Sequence, residues 1–292
     1  MRMGRIQRLA TGGAPRRWRW LSVAELTIGA GLFALVALAA IFGRLLLTHD
    51  PVESDLMATF LPMGSAGHLL GTDHMGRDMW SRVIAGLQWS MACAFTANAI
   101  NLMIGTTLGL LAAERPGWTR TIARQTTDMF QSFPSMVVAI VVVVVIGHGF
   151  VPLVATLGFL SWPIFMRVAY AEASSIYARD YVKAARIAGV SRPAIMLGHV
   201  LPGLRASLMV VFALHFATLL IAESGLSFLG IGAPLGVPTW GNMLAEARQY
   251  VLVAPRVLLV PAAAIIFAVI TTNLLGDGLA AYARRTGRGI EI

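Results

Sequence analysis

Six long apolar runs, separated by polar segments, recur along the 292 residues. A helix rises about 1.5 Å per residue, so roughly 20 apolar residues cross a hydrocarbon core of about 30 Å. The pattern therefore predicts an all-α integral membrane protein with six transmembrane helices. The predicted spans are residues 21–42, 87–112, 133–149, 151–167, 206–230 and 257–275.

The polar segments between the runs divide the chain into parts with an expected side of the membrane. A cleaved signal peptide is the alternative reading of the first run, but no small-residue cleavage site is followed by a soluble domain. The expected parts are a basic cytoplasmic N-terminus at 1–20, a first transmembrane helix at 21–42, an extracytoplasmic loop at 43–86, a core of five helices at 87–280 that includes a polar loop at 170–205, and a cytoplasmic tail at 281–292.

Composition and charge agree with a membrane protein. The chain is 57% hydrophobic and 13% charged, with a mean hydropathy of +0.72. A net charge of +9 also occurs in nucleic-acid-binding proteins, but here the basic residues alternate between segments, as topology signals do. We therefore expect a lipid membrane, and no nucleic acid, around the chain. With both termini inside, five of the 23 lysine and arginine residues lie outside, namely Arg44, Arg77, Arg82, Arg248 and Arg256.

The polar segment 170–202 predicts two short helices joined by a glycine. With Asp180 as the N-cap, small apolar residues fall at helical spacing on one face of the first helix. That face consists of Tyr181, Ala184, Ala185 and Ala188, while Lys183 and Arg186 point elsewhere.

The second half of this segment contains residues that typically end or begin helices. Gly189 is expected to end the first helix, and Ser191 is a candidate cap for a second helical turn. Pro193 is tolerated inside that turn, and Pro202 is expected to end it. The predicted product is an elbow at a membrane surface, where small side chains let another protein approach the backbone. An ordinary amphipathic cytoplasmic loop is the alternative.

This elbow resembles the cytoplasmic loop of binding-protein-dependent ABC importer permeases, whose consensus is E-A-A-x-x-x-G followed by L-P. The sequence reads KAARIAG from Lys183 to Gly189, so a lysine stands where the family has glutamate. In the family this loop fits a groove on a cytoplasmic ATPase. The resemblance therefore implies an ATPase-coupling role for Tyr181, Lys183, Ala184, Ala185, Arg186, Ala188, Gly189, Ser191, Leu201 and Pro202.

Further blocks resemble one branch of this family, the C-type permeases of dipeptide, oligopeptide and nickel importers. The blocks are LGTDHMGRD at 70–78, AESGLSFLGIG at 222–232, PTWGNML at 238–244 and NLLGDGL at 273–279. The resemblance covers about residues 22–280 and implies the type I ABC importer permease fold in a bacterial inner membrane. It also implies a homologous second permease, two ATP-binding subunits and an extracytoplasmic solute-binding protein. The solute implied first is a peptide, and a nickel ion or metal chelate is the alternative.

Catalytic and metal signatures are absent from the sequence. It contains no G-x-x-x-x-G-K-[ST], H-E-x-x-H or G-x-S-x-G motif, so we expect no catalytic residue. We expect no cofactor on this chain, and ATP and magnesium on partner ATPase subunits. Asp73, His74 and Asp78 could be read as metal ligands, but turn and cap roles are expected for the two aspartates, because a fourth ligand is not evident. Outside the importer class, a stand-alone channel or secondary carrier would need no ATPase-binding loop.

A few polar residues lie within the apolar runs, where hydrocarbon penalises them. They are therefore expected to face the bundle interior or a water-filled path. Hydrogen bonds between helices are the alternative reading, and for the asparagines it is favoured. The translocation-path candidates are Asn98, Asn101, His215, Thr218 and Glu223.

Three other residues carry structural expectations. Pro163 is expected to kink the fourth span, because it removes one backbone hydrogen bond. Trp240, in a segment rich in glycine and proline, is a candidate for the membrane interface. The single cysteine, Cys93, is expected to be a small packing residue.

Overall fold

The computed structural model describes residues 16–114, 117–234 and 236–285. Most of the predicted N-terminus at 1–20 and of the tail at 281–292 lies outside these residues. The described part is almost entirely helical, and its only β pairings are two isolated bridges in the outer loop. The expected all-α architecture is therefore confirmed for the described chain.

Helices follow one another with short connections. The long or membrane-embedded helices are α1 (Arg16–Ile41), α2 (Met79–Glu114), α3 (Trp118–Ser132), α4 (Ser135–Ile146), α5 (Phe150–Leu160), α6 (Pro163–Tyr177), α10 (Arg205–Phe228) and α12 (Arg256–Arg285). The short ones are α7 (Asp180–Ile187), α8 (Arg192–Ile195), a π-helix (Met196–Val200), α9 (Leu201–Gly203) and α11 (Trp240–Ala247).

Four helical stretches among the described residues are long and apolar enough to cross a membrane. They are α2, α10, α12 and the stretch formed by α5 and α6. The pair α3 and α4 passes the same criterion together but bends by 81° at its break. The apolar part of α1, Leu26–Ile41, is shorter. The predicted six spans are thus reached only if the bent pair and α1 also cross.

Several predicted boundaries are wrong. The outer loop ends at Asp78 rather than at residue 86, because the Asp78 carboxylate accepts a hydrogen bond from the Ser81 amide at 2.8 Å and caps α2. The run 133–149 contains only the short helix α4, and the polar segment before it is helix α3. The helix of the fourth span continues to Tyr177, so the first residues of the predicted polar loop are helical.

The helix of the fourth span breaks at the place where a kink is expected. Helix α5 ends at Leu160, and α6 begins at Pro163, which occupies the first turn and therefore needs no amide partner. The Met166 amide bonds to the Trp162 carbonyl at 3.1 Å, so helical bonding resumes immediately after the break.

Helix α2 runs through the middle of the bundle and contacts α1, α5, α6 and α10. Its crossing with α6 depends on two glycines four residues apart, the G-x-x-x-G spacing that lets membrane helices approach closely. A Cβ atom at Gly105 would lie 2.5 Å from the Trp162 carbonyl oxygen, and one at Gly109 would lie 2.8 Å from the Met166 carbonyl oxygen. The two backbones therefore touch without intervening side chains.

Substituting Gly105 with alanine is expected to destabilise the fold by about 1–3 kcal/mol, because the new methyl group forces α2 and α6 apart. The measurement is thermal unfolding of the purified protein in detergent. Gly31→Ala is the matched control, since a Cβ there meets no atom within 4 Å and alanine favours the helix. Equal stability of the two variants would show that the α2–α6 contact is not close-packed.

Trp240 belongs to the core, so its assignment to the membrane interface is wrong. Its side chain is 2% exposed, and its indole N–H donates to the Val83 carbonyl at 3.1 Å. Gly86 of α2 makes room for the ring, because a Cβ there would lie 2.8 Å from the indole. Helix α11 therefore packs against the first turns of α2. Cys93 is fully buried, as expected of a packing residue.

Candidate functional site

The predicted elbow, defined here as residues 178–204, begins with helix α7. The N-cap residue is Arg179, so the prediction that Asp180 occupies this position is wrong by one residue. Asp180 instead accepts a hydrogen bond from the Lys183 ammonium at 3.1 Å. Both side chains are largely exposed, and such surface pairs contribute about 0–1 kcal/mol. The pair therefore leaves Lys183 available to an external partner.

Gly189 ends α7, as predicted. Its φ of +82° is in the left-handed region that glycine adopts without strain. The Gly189 amide bonds to the Arg186 carbonyl at 3.1 Å, and the Val190 amide bonds to the Ala185 carbonyl at 3.1 Å. This pair of bonds is a Schellman motif, which satisfies the last carbonyls of the helix and turns the chain sharply.

The small-residue face of α7 is divided between two environments. Val182 is fully buried and Ala185 is half-buried, and both pack against the bundle. Tyr181, Ala184 and Ala188 are exposed, so the four predicted residues do not share one face toward one partner. The buried side of α7 is instead centred on Val182, a residue that the helical repeat did not assign to the predicted face.

The exposed side of the elbow is apolar as well as small. Ile187 is 88% exposed, and Tyr181 is 48% exposed. The Arg186 guanidinium lies over the Tyr177 ring at 5.4 Å, which holds this cation close to α6. Ala184 and Ala188 thus lie on an open surface next to an isoleucine, a combination typical of a protein contact.

The second arm of the elbow is continuous with α10. Ser191 is the N-cap of α8, as predicted, although its side chain makes no capping bond. Pro202 does not end the arm, because the chain continues through the π-helix and α9 to Arg205, where α10 begins. Leu201 and Pro202 are half-buried. Ile195, Val200 and Leu204 are almost fully buried and anchor the arm to the bundle.

A charged contact also ties the elbow to α2. The Arg192 guanidinium lies 3.9 Å from the Glu114 carboxylate at the end of α2. The elbow is therefore held against the bundle by the hydrophobic contacts of both arms and by this pair.

Asn98 and Asn101 form hydrogen bonds between helices, the alternative that the sequence favoured. The Asn98 amide donates to the Phe212 carbonyl of α10 at 2.8 Å, and the Asn101 amide donates to the Leu157 carbonyl of α5 at 3.2 Å. Both side chains are fully buried. The structure thus brings these two path candidates into helix contacts.

The other three path candidates, all on α10, lie in different surroundings. His215 is half-buried with its ring edge-on to Phe165, at a centroid distance of 5.8 Å. Thr218 is exposed on the surface of the described chain. Glu223 is fully buried and accepts a hydrogen bond from Ser227 at 3.0 Å. The structure does not bring the three together into one site.

A large apolar cavity of about 950 Å³ lies among α1, α2, α10, α12 and the second arm of the elbow. Its wall includes Phe33, Met103, Phe212 and Leu275, with Arg205 as its charged member. None of the five path candidates lines it. The cavity therefore does not correspond to the predicted polar path.

The outer loop contains an ion-pair network that includes Arg77 and Arg82, two of the five basic residues predicted to lie outside. Arg77 bonds to the Asp73 carboxylate at 2.7 Å, and Arg82 bonds to the Glu246 carboxylate at 2.9 Å. Both arginines also contact the other carboxylate, and both are almost fully buried. Arginines and aspartates close together within 73–82 were a sequence signal for part of this network. The contribution of Glu246 could not be predicted, because it is distant in sequence. The network joins the outer loop and α2 to α11.

The turn and cap roles predicted for the aspartates are confirmed. One Asp73 carboxylate oxygen accepts bonds from the Met75 and Arg77 amides at 2.8 and 3.0 Å. Burial alone would raise the pKa of Asp78, but hydrogen bonds from Ser81, His68 and Thr48 outweigh it, so the pKa lies below its usual value. Asp73 and Asp78 lie in separate clusters.

Known proteins resemble this chain over most of its length. Residues 105–287 match a family described as binding-protein-dependent transport system inner membrane component. The glutathione transport system permease protein GsiD of Pectobacterium atrosepticum is 36% identical over 263 residues, which are 90% of this chain and 87% of that protein. GsiD of Escherichia coli O1:K1 is 38% identical over 264 residues. A chain of the inward-facing MetNI methionine ABC transporter superposes with a TM-score of 0.56 at 18% identity, covering 67% of this chain and 93% of that one, so the two share a fold.

Proposed function

Because the chain belongs to the family of binding-protein-dependent transport system inner membrane components, and so is a permease subunit of an ABC importer, we propose that it forms half of a translocation path for peptides. It is a transporter subunit and not itself an enzyme. Its helices have the fold of a type I importer permease. The observation that carries the coupling part of the proposal is the open, small-residue surface of α7 on an arm continuous with α10.

The mechanism that we propose is alternating access driven from the elbow. ATP closes a pair of partner ATPase subunits, and α7 follows the groove in which Ala184 and Ala188 rest. Because Val182 and Ile195 anchor the two arms in the bundle, the movement passes to α2, α6 and α10 as a rigid-body shift. ATP and magnesium bind to those partners, and this chain binds no cofactor of its own.

Three kinds of partner complete the proposed assembly in the inner membrane. The assembly contains two ATP-binding subunits, one of which binds the elbow of this chain. A solute-binding protein contacts the opposite, outer face, and both termini are cytoplasmic. A homologous second permease supplies the other half of the path. Helix α4 supports this last partner, because its 12 residues are too few to cross the membrane alone. The large aliphatic side chains that α4 exposes are Val137, Val141, Val144, Val145 and Ile146.

For the solute, we propose a small peptide of the glutathione kind. The support is the similarity to glutathione permeases over 90% of the chain. A nickel ion or metal chelate remains the second candidate and enters the experiment below as a competing solute.

ATP-dependent uptake into proteoliposomes tests the proposal. The chain is purified from membranes with its associated subunits and supplied with the cognate binding protein, and uptake of labelled glutathione, a dipeptide and nickel is compared. We expect peptide uptake that requires both the binding protein and hydrolysable ATP. A non-hydrolysable ATP analogue is the control. Uptake that persists without ATPase subunits would identify a channel or secondary carrier instead, and uptake of nickel alone would overturn the peptide assignment.

A further inference from the structure

Two histidines and an aspartate from separate parts of the outer loop meet at the start of α2. His49 follows α1, His68 lies in the middle of the loop, and Asp78 immediately precedes α2. One nitrogen of each imidazole and one carboxylate oxygen lie within 4.8 Å of one another. We call these three residues the outer histidine cluster.

The contacts within this cluster converge on one carboxylate. Nδ1 of His68 lies 2.9 Å from Oδ1 of Asp78, and Nδ1 of His49 lies 3.9 Å from Oδ2. The two imidazole rings stack at a centroid distance of 4.6 Å with planes 25° apart, so both present the same edge to Asp78. Three potential ligand atoms therefore surround a single point.

The three side chains of the cluster differ in their exposure to solvent. The side chains of His49, His68 and Asp78 are 40%, 16% and 0% exposed. An ion arriving from the aqueous side thus meets a partly exposed imidazole first and a buried carboxylate last. A buried anion beside a solvent-accessible opening is the arrangement that a cation needs in order to enter and be retained.

Neighbouring groups already orient the carboxylate. The Ser81 amide donates to Oδ2 of Asp78 at 2.8 Å, and the Thr48 hydroxyl donates to the same oxygen at 3.1 Å. Hydrogen bonds of this kind hold ligands in place around bound metals. Oδ1 accepts neither of these two bonds and lies 2.9 Å from Nδ1 of His68, so it is the oxygen that we assign to a metal.

We propose that the outer histidine cluster is a binding site for a divalent transition-metal ion, with Zn²⁺ as the best fit. Imidazole nitrogen with carboxylate oxygen is a ligand set that suits zinc, copper and nickel. Tetrahedral zinc with bonds of about 2.0 Å separates its ligand atoms by about 3.3 Å, so a small inward movement of His49 closes the site. Three protein ligands leave the fourth position to water or to a donor from outside the chain.

The second group of potential ligands in the outer loop differs in charge. Asp73, His74 and Glu246 are also within ligand distance of one another. Both of their carboxylates, however, are already paired with the guanidinium groups of Arg77 and Arg82. A metal ion there would have to displace two buried cations. This cluster therefore provides the matched control for the first.

Zinc titration of the full-length chain tests the proposal without reference to transport. The protein carries a streptavidin-binding tag, because a polyhistidine tag would itself bind metal, and it competes for ZnCl₂ with a chelating dye. Wild type is expected to bind one ion per chain. His49→Gln should weaken this binding at least about tenfold, and the His49→Gln, His68→Asn double variant should abolish it. His74→Gln and His148→Gln should bind as wild type does.

Cobalt provides a second measurement on the unmodified protein. Co²⁺ in a tetrahedral nitrogen and oxygen site is expected to give visible absorption bands that ZnCl₂ bleaches at one equivalent. Absence of both stoichiometric zinc binding and these bands in wild type would overturn the proposal. Unchanged binding in His49→Gln, or equal loss in His74→Gln, would overturn it as well. Because His49 is partly exposed, its replacement is not expected to unfold the chain, and thermal unfolding without metal checks this.

Discussion

Replacing Ala184 by tryptophan is expected to reduce transport-linked ATP hydrolysis more than tenfold while leaving membrane insertion intact. Ala184 is exposed on α7, so its replacement leaves the buried contacts of the elbow in place. A groove fitted to alanine cannot accept an indole without separating the two proteins, and loss of a well-packed contact affects binding strongly. The measurements are co-purification of the ATPase subunits and hydrolysis stimulated by the loaded binding protein.

The size of the side chain is the variable in this experiment. Ala184→Ser adds one oxygen atom and serves as the matched control, with coupling expected to stay close to that of wild type. Ala185 is a poorer position, because it is half-buried and a large residue there would disturb the fold as well. Full co-purification and full hydrolysis in Ala184→Trp would refute the assignment of this surface to the ATPase.

The sequence predicted those helices and helix ends that depend on residues close together in the chain. The apolar runs became helices because a backbone in hydrocarbon must satisfy its own hydrogen bonds. Gly189 ended α7 because glycine adopts the left-handed conformation without strain, and Pro163 marked the break after α5. The existence of the elbow therefore followed from a stretch of about thirty residues whose pattern repeats every 3.6 residues.

Features that depend on distant residues were not predicted. Trp240 is buried because Gly86, far away in sequence, leaves a space for its ring. Arg77 and Arg82 appeared to be exceptions to the charge bias, and only the fold brings Glu246 to them. His49 joins the outer histidine cluster for the same reason. The periodicity of apolar residues predicts where helices form and which face is buried, but it does not predict which helices contact each other.

Replacing Arg82 by methionine is expected to destabilise the protein by about 3 kcal/mol. Breaking a buried ion pair by removing one partner costs about 3–5 kcal/mol, because the remaining charge stays buried. The lower end applies here, since Arg77 still contacts both Asp73 and Glu246. Thermal unfolding of the purified chain should show a midpoint lowered by several degrees.

Two further variants separate the lost ion pair from the change of side chain. Arg44→Met is the matched control, because Arg44 belongs to the same outer region but is exposed, and it should unfold close to wild type. In Arg82→Met, the Glu246 carboxylate keeps only one of its two arginine partners. Adding Glu246→Gln removes this carboxylate charge, so part of the lost stability should return. If Arg82→Met and Arg44→Met unfold at the same temperature, the network does not hold the outer loop to α11. In that case α11 is positioned by packing, namely that of Trp240 on α2 and of α11 on α10 and α12.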